Sequence, residues 1–203
     1  MVPCFKHSFI GCFFSYMEVV SIYKSCDELL QVLDEDGNLT NRVETRDYVH
    51  KYLLYHDEVR IFVIKGDEIL LERRSLSKDS NPGKLCVPGG HVSSGVTPLC
   101  TAKNELKEEI GLNISEENIR FINRVKQNQP NNNCFKNNFF VLTRKNINEF
   151  KKQDEEVESL KYVKFNDFIY MIKETDETTY SYEKDKDCLN KIREIIERSD
   201  YID

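Results

Sequence analysis

The chain has no excess of positive charge and no apolar stretch long enough to cross a bilayer. Its 203 residues include 29 lysines and arginines against 35 aspartates and glutamates, giving a formal net charge of −6. That balance argues against nonspecific affinity for DNA or for membrane surfaces. The apolar stretch within residues 1–16 is shorter than the ~20 residues of a spanning helix. We therefore expect a small-molecule partner and neither nucleic acid nor membrane.

Cysteines at paired spacing are also missing. The sequence has seven cysteines, and an odd number cannot be fully paired within one chain. This pattern favours free thiols in a reducing cytosol, so we predict a cytoplasmic protein. Cys86 lies close to a glycine-rich loop, but no basic neighbour is evident that would lower its pKa. We interpret Cys86 as a small buried strand residue.

The length suits one domain with additions at its termini. We divide the chain into a leader of doubtful relevance (1–16), a main domain (17–173), and a charged linker with a C-terminal helix (174–203). The leader lacks a clear signal-peptide cleavage site, and Met17 directly follows it. We expect residues 1–16 either to result from an upstream start codon, with native translation starting at Met17, or to form a poorly ordered leader. A homodimer is left open as the assembly.

Strand and helix signals alternate along the chain and predict an α/β fold with a mixed β-sheet. Turn residues separate the strand signals, and residues 65–67 predict a hairpin. Residues 127–133 are all polar or proline and predict a solvated hairpin tip. The predicted strands are 19–24, 29–33, 59–64, 68–72, 85–87, 119–126, 135–143 and 160–165. The predicted helices are 45–52, 98–110, 166–173 and 188–198.

The helix predicted after the glycine-rich loop carries the most informative side chains. Thr97 is a favourable N-cap, Pro98 suits the first helical position, and Gly111 suits the end of the helix. Three glutamates fall at positions i, i+3 and i+4, which places them on one side of the helix. They are Glu105, Glu108 and Glu109.

Converging carboxylates repel each other unless a cation lies between them. Two like charges ~4 Å apart cost about 4 kcal/mol at an effective dielectric constant of 20. Oxygen ligands favour Mg²⁺ or Mn²⁺, and Mg²⁺ in proteins usually also contacts substrate phosphates. The backbone at Gly89 and Gly90 can approach closely and offer a carbonyl oxygen as a further ligand. The pattern therefore predicts a metal site that binds a diphosphate.

The same segment resembles the Nudix box, a glycine-led loop followed by a glutamate-rich helix. Two positions depart from the pattern, because Val96 replaces a glutamate and Asn104 replaces an arginine. The resemblance implies an α/β/α sandwich with a mixed sheet, metal binding by Glu105, Glu108 and Glu109, and help from the Gly89 carbonyl. The matching residues are Gly90, Glu105, Leu106, Glu108, Glu109, Gly111 and Leu112.

The two departures concern a pair that braces the loop in this family. Losing one partner alone would leave a charge without its counterpart, which is costly if that charge is buried. Here both partners are exchanged together. Our hypothesis is that the scaffold and the metal site remain functional, and the alternative is a binding module with impaired turnover.

The resemblance extends over roughly residues 18–170 to the Nudix branch that includes isopentenyl diphosphate isomerase. In the isomerases, residues matching Arg74 and Lys78 hold the diphosphate, which suits two cations on a loop after a strand. The segments that carry this resemblance are 34–38, 45–46, 49–50, His56, 73–74, Lys78 and 82–83.

An isomerase is the main competing interpretation, because the isomerases bind metal through histidines matching His50, His56 and His91. Three features argue against it. The isomerase cysteine falls at Gly89, residues 123–144 contain no acidic side chain, and the chain has no tryptophan. Without nucleophile, acid and aromatic stabiliser that proton chemistry is not expected. We therefore interpret His50 and His56 as structural, with His91 open to either role.

The resemblance favours a Mg²⁺- or Mn²⁺-dependent hydrolase of a diphosphate linkage in a nucleoside diphosphate derivative or a similar small molecule. Residues 153–158 are acidic and precede a late strand, and Glu156 is our candidate there for the general base or a further metal ligand. A solvated acidic loop is the competing interpretation. The candidate catalytic residues are Glu105, Glu108, Glu109 and Glu156, with Arg74 and Lys78 for substrate.

Overall fold

The computed structural model describes residues 28–78 and 80–199. The leader (1–16) and the predicted strand 19–24 lie outside these ranges. The strands are β1 (Leu29–Leu33), β2 (Leu39–Thr45), β3 (His56–Lys65), β4 (Glu68–Arg74), β5 (Leu85–Cys86), β6 (Arg120–Gln129), β7 (Asn132–Leu142) and β8 (Val157–Lys164). The helices are α1 (Arg46–Lys51), α2 (Pro98–Ile110), α3 (Phe165–Glu174) and α4 (Tyr182–Ser199).

Six strands form a mixed sheet in which the order is β5-β4-β3-β7-β6, with β8 paired to β4. Only β3 and β7 run parallel, and their pairing extends from His56 opposite Cys134 to Ile64 opposite Leu142. Strands β1 and β2 form a separate antiparallel pair. The predicted mixed sheet is confirmed.

The two faces of the sheet pack against different helices. On one face, Val59, Ile61 and Val63 of β3 join Ala102, Leu106 and Ile110 of α2 in a buried cluster. On the other face, Phe62 and Ile64 pack with side chains of α3 and α4. This alternation is the period of two expected for a strand buried on both sides. Helices on both faces give the α/β/α arrangement.

Helix α4 begins at Tyr182, earlier than the start predicted at Cys188. Its apolar side chains Leu189 and Ile192 are buried against the sheet. Asp185 lies inside the predicted linker, yet its carboxylate accepts a hydrogen bond from the buried Arg60 guanidinium at 2.8 Å. Tertiary pairing therefore extends the helix into a stretch whose charges suggested a linker.

The predicted hairpin between β6 and β7 is present, but the predicted loop 127–133 is too long, because β6 continues to Gln129 and β7 begins at Asn132. The turn is only two residues long. Gln127 is buried and donates to Asp185 at 2.8 Å. Strand β2 was not predicted, since its largely exposed face gives no apolar signal. No helix within residues 28–78 and 80–199 is long and apolar enough to cross a membrane.

Candidate active site

Helix α2 presents the predicted glutamates on the side that faces the glycine-rich loop. It starts as predicted, with the Thr97 side chain accepting a hydrogen bond from the Cys100 amide at 3.2 Å. It ends at Gly111, whose φ of 67° is left-handed. Glu109 is buried, Glu105 is half-buried and Glu108 is exposed. The three glutamates therefore enter environments that differ in access to water.

The glycine-rich loop runs beside the first half of β3 and takes the place of a neighbouring strand there. The amides of Val59 and Ile61 donate to the carbonyls of Gly90 and Pro88, each at 2.9 Å. Gly89 lies between these two contacts, and its amide donates to Glu109 Oε2 at 2.9 Å. In extended backbone the N–H and C=O of one residue point the same way, which directs the Gly89 carbonyl toward the glutamates as well.

An added Cβ at either glycine would meet a neighbouring group, which is the β3 backbone at Gly89 and the movable end of the Glu105 side chain at Gly90. A Cβ at Gly89 would come closer than 3.0 Å to the carbonyl oxygen of Val59. A Cβ at Gly90 would come closer than 3.0 Å to the carboxylate of Glu105. Glycine is therefore required for the close approach of the loop to both β3 and α2.

Two carboxylates in this region have raised pKa values, so their ionised forms are disfavoured. Burial raises the pKa of Glu105 to about 8, and repulsion from Glu108 and Glu156 adds to the effect. Burial also raises the pKa of Glu109 well above its ordinary value, and repulsion from Glu72 and Glu105 adds to the effect. The hydrogen bond from Gly89 opposes this shift only partly. A bound cation would offset both the burial and the mutual repulsion of these carboxylates.

Glu72 is a fourth acidic residue at this site that the sequence analysis missed. It lies on β4 and is 2% exposed. Cys86, its partner across the β4–β5 pair, donates to Glu72 Oε1 at 3.2 Å. Burial raises the pKa of Glu72 to about 7. The available signal was a charged residue directly after the apolar run 69–71 of this strand, at an inward position.

The Cys86 thiol lies in a buried environment beside the Glu72 carboxylate. As predicted, Cys86 is a buried strand residue. Burial raises the pKa of its thiol, and the Glu72 carboxylate adds to the shift.

Glu156 and Lys78 lie next to each other at the border of the site. Their side chains form an ion pair of 2.6 Å. The turn before β8 is anchored to α2, because the Gln153 amide donates to the Glu109 carbonyl at 2.9 Å. Arg74 instead holds its own loop, donating to the Ser80 carbonyl at 3.0 Å. The structure thus brings Lys78, but not the tip of Arg74, against an acidic side chain.

Val96 and Asn104 do not form a substitute brace. Val96 is 38% exposed, and Asn104 is exposed with only a 4.0 Å contact to the Cys100 sulfur. The loop is held by backbone contacts instead. The Ser94 amide donates to the Leu29 carbonyl at 2.8 Å, and the Val92 amide donates to the Asp57 carbonyl at 2.9 Å.

His50, His56 and His91 converge, with one ring nitrogen of each within 4.8 Å of the others. The Nε2 atoms of His50 and His91 are 3.1 Å apart. Burial lowers the pKa of His91 to about 3 and lowers the pKa of His50 as well. Neutral imidazoles are suitable metal ligands, so this cluster has the chemistry to hold a divalent ion. The interpretation of His50 and His56 as structural stays a prediction.

Glu58 adjoins the histidines and was also missed by the sequence analysis. Its Oε1 lies 3.4 Å from His56 Nε2 and 3.8 Å from His91 Nε2. Although burial opposes its ionisation, Lys136 and the histidines hold the pKa of Glu58 well below its usual range. Lys136 forms an ion pair with Glu58, so this carboxylate already has a cationic partner.

The sequence and the fold are similar to those of known proteins. The NUDIX domain family matches residues 54–183. Nudix hydrolase 3 of Arabidopsis thaliana is 32% identical over 168 residues, which are 77% of this chain and 22% of that protein. An uncharacterised Nudix hydrolase of Yersinia pestis is 37% identical over 87 residues, covering 42% of this chain and 47% of the relative. The chain spans less than half the length of both relatives.

Solved structures agree on the fold. A Deinococcus radiodurans crystal structure superposes with a TM-score of 0.63 at 17% identity, covering 84% of this chain and 98% of that one. The NUDIX domain of Shewanella oneidensis NrtR, solved with ADP ribose, gives a TM-score of 0.53 at 15% identity. That match covers 69% of this chain and 87% of the Shewanella chain. The match of the NUDIX domain family to residues 54–183, more than half of the sequence, shows that the chain belongs to the Nudix family.

Proposed function

We propose that the protein is a Mg²⁺- or Mn²⁺-dependent hydrolase of a diphosphate linkage in a nucleoside diphosphate derivative or a similar small molecule. The observation that carries this proposal is the convergence of the Glu105 and Glu109 carboxylates on the Gly89–Gly90 backbone. An oxygen-only donor set of this kind suits Mg²⁺ or Mn²⁺.

Each residue has a distinct role in the proposed site. Glu105, Glu108 and Glu109 would hold the metal, with the Gly89 carbonyl as a further ligand. When bound, the cation would neutralise the diphosphate and lower the pKa of the attacking water. The Gly89 amide keeps Glu109 oriented through its 2.9 Å hydrogen bond. The buried position of Glu109 keeps bulk water away from that side of the site.

Glu156 is the proposed general base, and Lys78 is proposed to hold an outer phosphate. Their 2.6 Å ion pair supports this assignment, because a phosphate oxygen that approaches Lys78 would arrive beside Glu156. A substrate phosphate that takes the place of Glu156 beside Lys78 would free the Glu156 carboxylate to accept a proton from water. Arg74 is proposed to contribute once its hydrogen bonds to Ser80 give way to phosphate.

The histidine cluster favours one competing function, an isomerase of isopentenyl diphosphate. Against it, a side chain at Gly89 would collide with the backbone of β3, so the isomerase cysteine has no room at this position. The absence of tryptophan in the sequence points the same way. We therefore keep isopentenyl diphosphate in the test below as the substrate that would reveal this activity.

A substrate panel tests the proposal. The purified protein would be incubated with Mg²⁺ or Mn²⁺ and with nucleoside diphosphate derivatives, sugar nucleotides, ADP-ribose and isopentenyl diphosphate. ADP-ribose is included because the Shewanella domain was solved with it. We expect metal-dependent release of phosphorylated products from at least one compound and no isomerisation. Glu109→Gln serves as the inactive control for contaminating phosphatases.

Glu156 is tested against its exposed neighbour. Glu156→Gln should lower kcat by about a hundredfold or more, the usual contribution of a general base, with a smaller effect on KM. Glu155→Gln removes an exposed carboxylate one residue away and should leave kcat unchanged. Equal rates for both variants would contradict the role of Glu156, while absence of turnover and of metal binding in the wild type would refute the proposed function.

A further inference from the structure

Glu72 differs from the other carboxylates of the site in having one oxygen that is fully buried and lacks a hydrogen-bond partner among the described residues. Oε1 accepts the hydrogen bond from Cys86, whereas Oε2 is buried and has no hydrogen-bond partner among the described residues. A buried carboxylate oxygen left unpaired is costly, and such exceptions need a physical explanation.

The strand register directs Glu72 toward α2. Leu70, two residues earlier on β4, packs against the cluster formed by Ala102, Leu106 and Ile110. Residues two apart on a strand share a face, so Glu72 faces α2 as well. Among the like charges acting on Glu109, Glu72 raises its pKa the most. The Glu72 side chain therefore lies on the side where the other acidic residues of the site converge.

We propose that Glu72 is an additional metal ligand that completes the carboxylate set of Glu105 and Glu109. This inference rests on the proposed function, since it concerns the same divalent cation. A cation beside Glu72 Oε2 would satisfy the unpaired oxygen and remove the repulsion between Glu72 and Glu109 at the same time. Cys86 orients the carboxylate by its hydrogen bond to the other oxygen, as partners of metal ligands commonly do.

Metal binding measured with Mn²⁺ alone tests this proposal without reference to turnover. Glu72→Gln keeps the shape of the side chain and the contact to Cys86 but removes the charge. We expect the Kd for Mn²⁺, measured by calorimetry or by the loss of free Mn²⁺ signal in electron paramagnetic resonance, to rise by about tenfold or more. Glu158→Gln, an exposed change on the neighbouring strand β8, should leave the Kd unchanged.

Thermal stability separates a ligand from a structural residue. Because the Gln variant loses repulsion from Glu109, its metal-free Tm should rise, while the further increase produced by Mn²⁺ should shrink. A purely structural Glu72 would instead lower the metal-free Tm and leave the Mn²⁺-induced increase unchanged. Glu72→Asp, which keeps the charge but shortens its reach, should weaken Mn²⁺ binding without raising the metal-free Tm.

The outcomes distinguish this proposal from the proposed function. Unchanged Mn²⁺ affinity in Glu72→Gln, with an active wild type, would overturn the role of Glu72 alone and indicate a bound water at Oε2. Weakened affinity with a wild type inactive on every compound would support Glu72 as a ligand and contradict hydrolysis. No Mn²⁺ binding by the wild type would overturn both.

Discussion

At the residue scale, Gly89 and Gly90 are both indispensable but for different reasons. An added Cβ at Gly89 would meet the backbone of Val59, which cannot move without shifting β3. An added Cβ at Gly90 would meet the end of the Glu105 side chain, which can rotate away. The first substitution therefore strains the fold, and the second displaces a proposed ligand.

Alanine at each position should separate these two effects. Gly89→Ala should destabilise the protein by about 1–3 kcal/mol, the usual cost of overpacking, and lower its Tm by several degrees. Gly90→Ala should change the Tm little but weaken Mn²⁺ binding by about tenfold. Thermal melts and calorimetry on both variants provide the test. A Gly90→Ala variant with normal Mn²⁺ affinity would show that Glu105 does not depend on this loop.

The sequence predicts those residues of the site that lie close together along the chain. Helical spacing alone brings Glu105, Glu108 and Glu109 to one side of α2. Glu72 and Glu58 were missed because each joins its cluster through strand pairing with distant segments, which spacing along the chain does not reveal.

At the element scale, the glycine-rich loop is braced by strands instead of by side chains on α2. Ser93 bridges to Leu30 of β1, and His91 bridges to Glu58 of β3. These backbone contacts explain how the loop keeps its place while Val96 and Asn104 are exposed. The brace associated with this family is therefore not required for loop position in this chain.

Restoring the side-chain brace should consequently have little effect. The double substitution Val96→Glu with Asn104→Arg would add an exposed ion pair, which typically contributes about 0–1 kcal/mol. We expect kcat on the best substrate to change by less than about fivefold. A gain of a hundredfold would show that the natural site is impaired, as the binding-module alternative requires. Each single variant serves as a control for charge alone.

The wrong predicted ends of strands β6 and β7 have a common physical cause. Strands β6 and β7 carry many polar side chains, so their ends appear to be loop in the sequence. In the structure, Asn138 donates to Asn123 at 2.8 Å, and Gln127 reaches Asp185 of α4. Polar strand residues thus find partners on neighbouring strands and on a helix that follows much later in the chain. Apolar strands such as β3 and β4 were predicted well, because their pattern is local.

At the scale of the whole molecule, the raised carboxylate pKa values link stability to pH and to metal. Burial raises the pKa of Glu105 to about 8 from an ordinary value of 4.5, so folded metal-free protein retains protons that the unfolded chain has released. This contribution is fully present below the unfolded pKa and is lost as pH rises through the folded pKa. Burial lowers the pKa of His91 to about 3 from 6.5. Its effect on the free energy of unfolding is therefore confined to pH values below about 6.5, where stability increases with rising pH.

The free energy of unfolding of metal-free protein should therefore fall as pH rises from about 6.5 to about 8. Urea denaturation in the presence of a chelator would measure this slope. Glu105→Gln should flatten it, and saturating Mg²⁺ should also flatten it, because a cation stabilises the ionised carboxylates. A metal-free protein whose stability rises over this range would contradict the assigned electrostatics.

The central claim is that a divalent cation held by the α2 glutamates enables diphosphate hydrolysis, and Glu109 tests it most directly. The decisive measurement is the Mg²⁺-dependent kcat on the best substrate of the panel for Glu109→Gln, with the exposed Glu117→Gln as control. We predict a loss of about a hundredfold or more for Glu109→Gln, wild-type activity for the control, and no activity of the wild type with chelator. Wild-type kcat in Glu109→Gln, or turnover that persists in chelator, would contradict the claim.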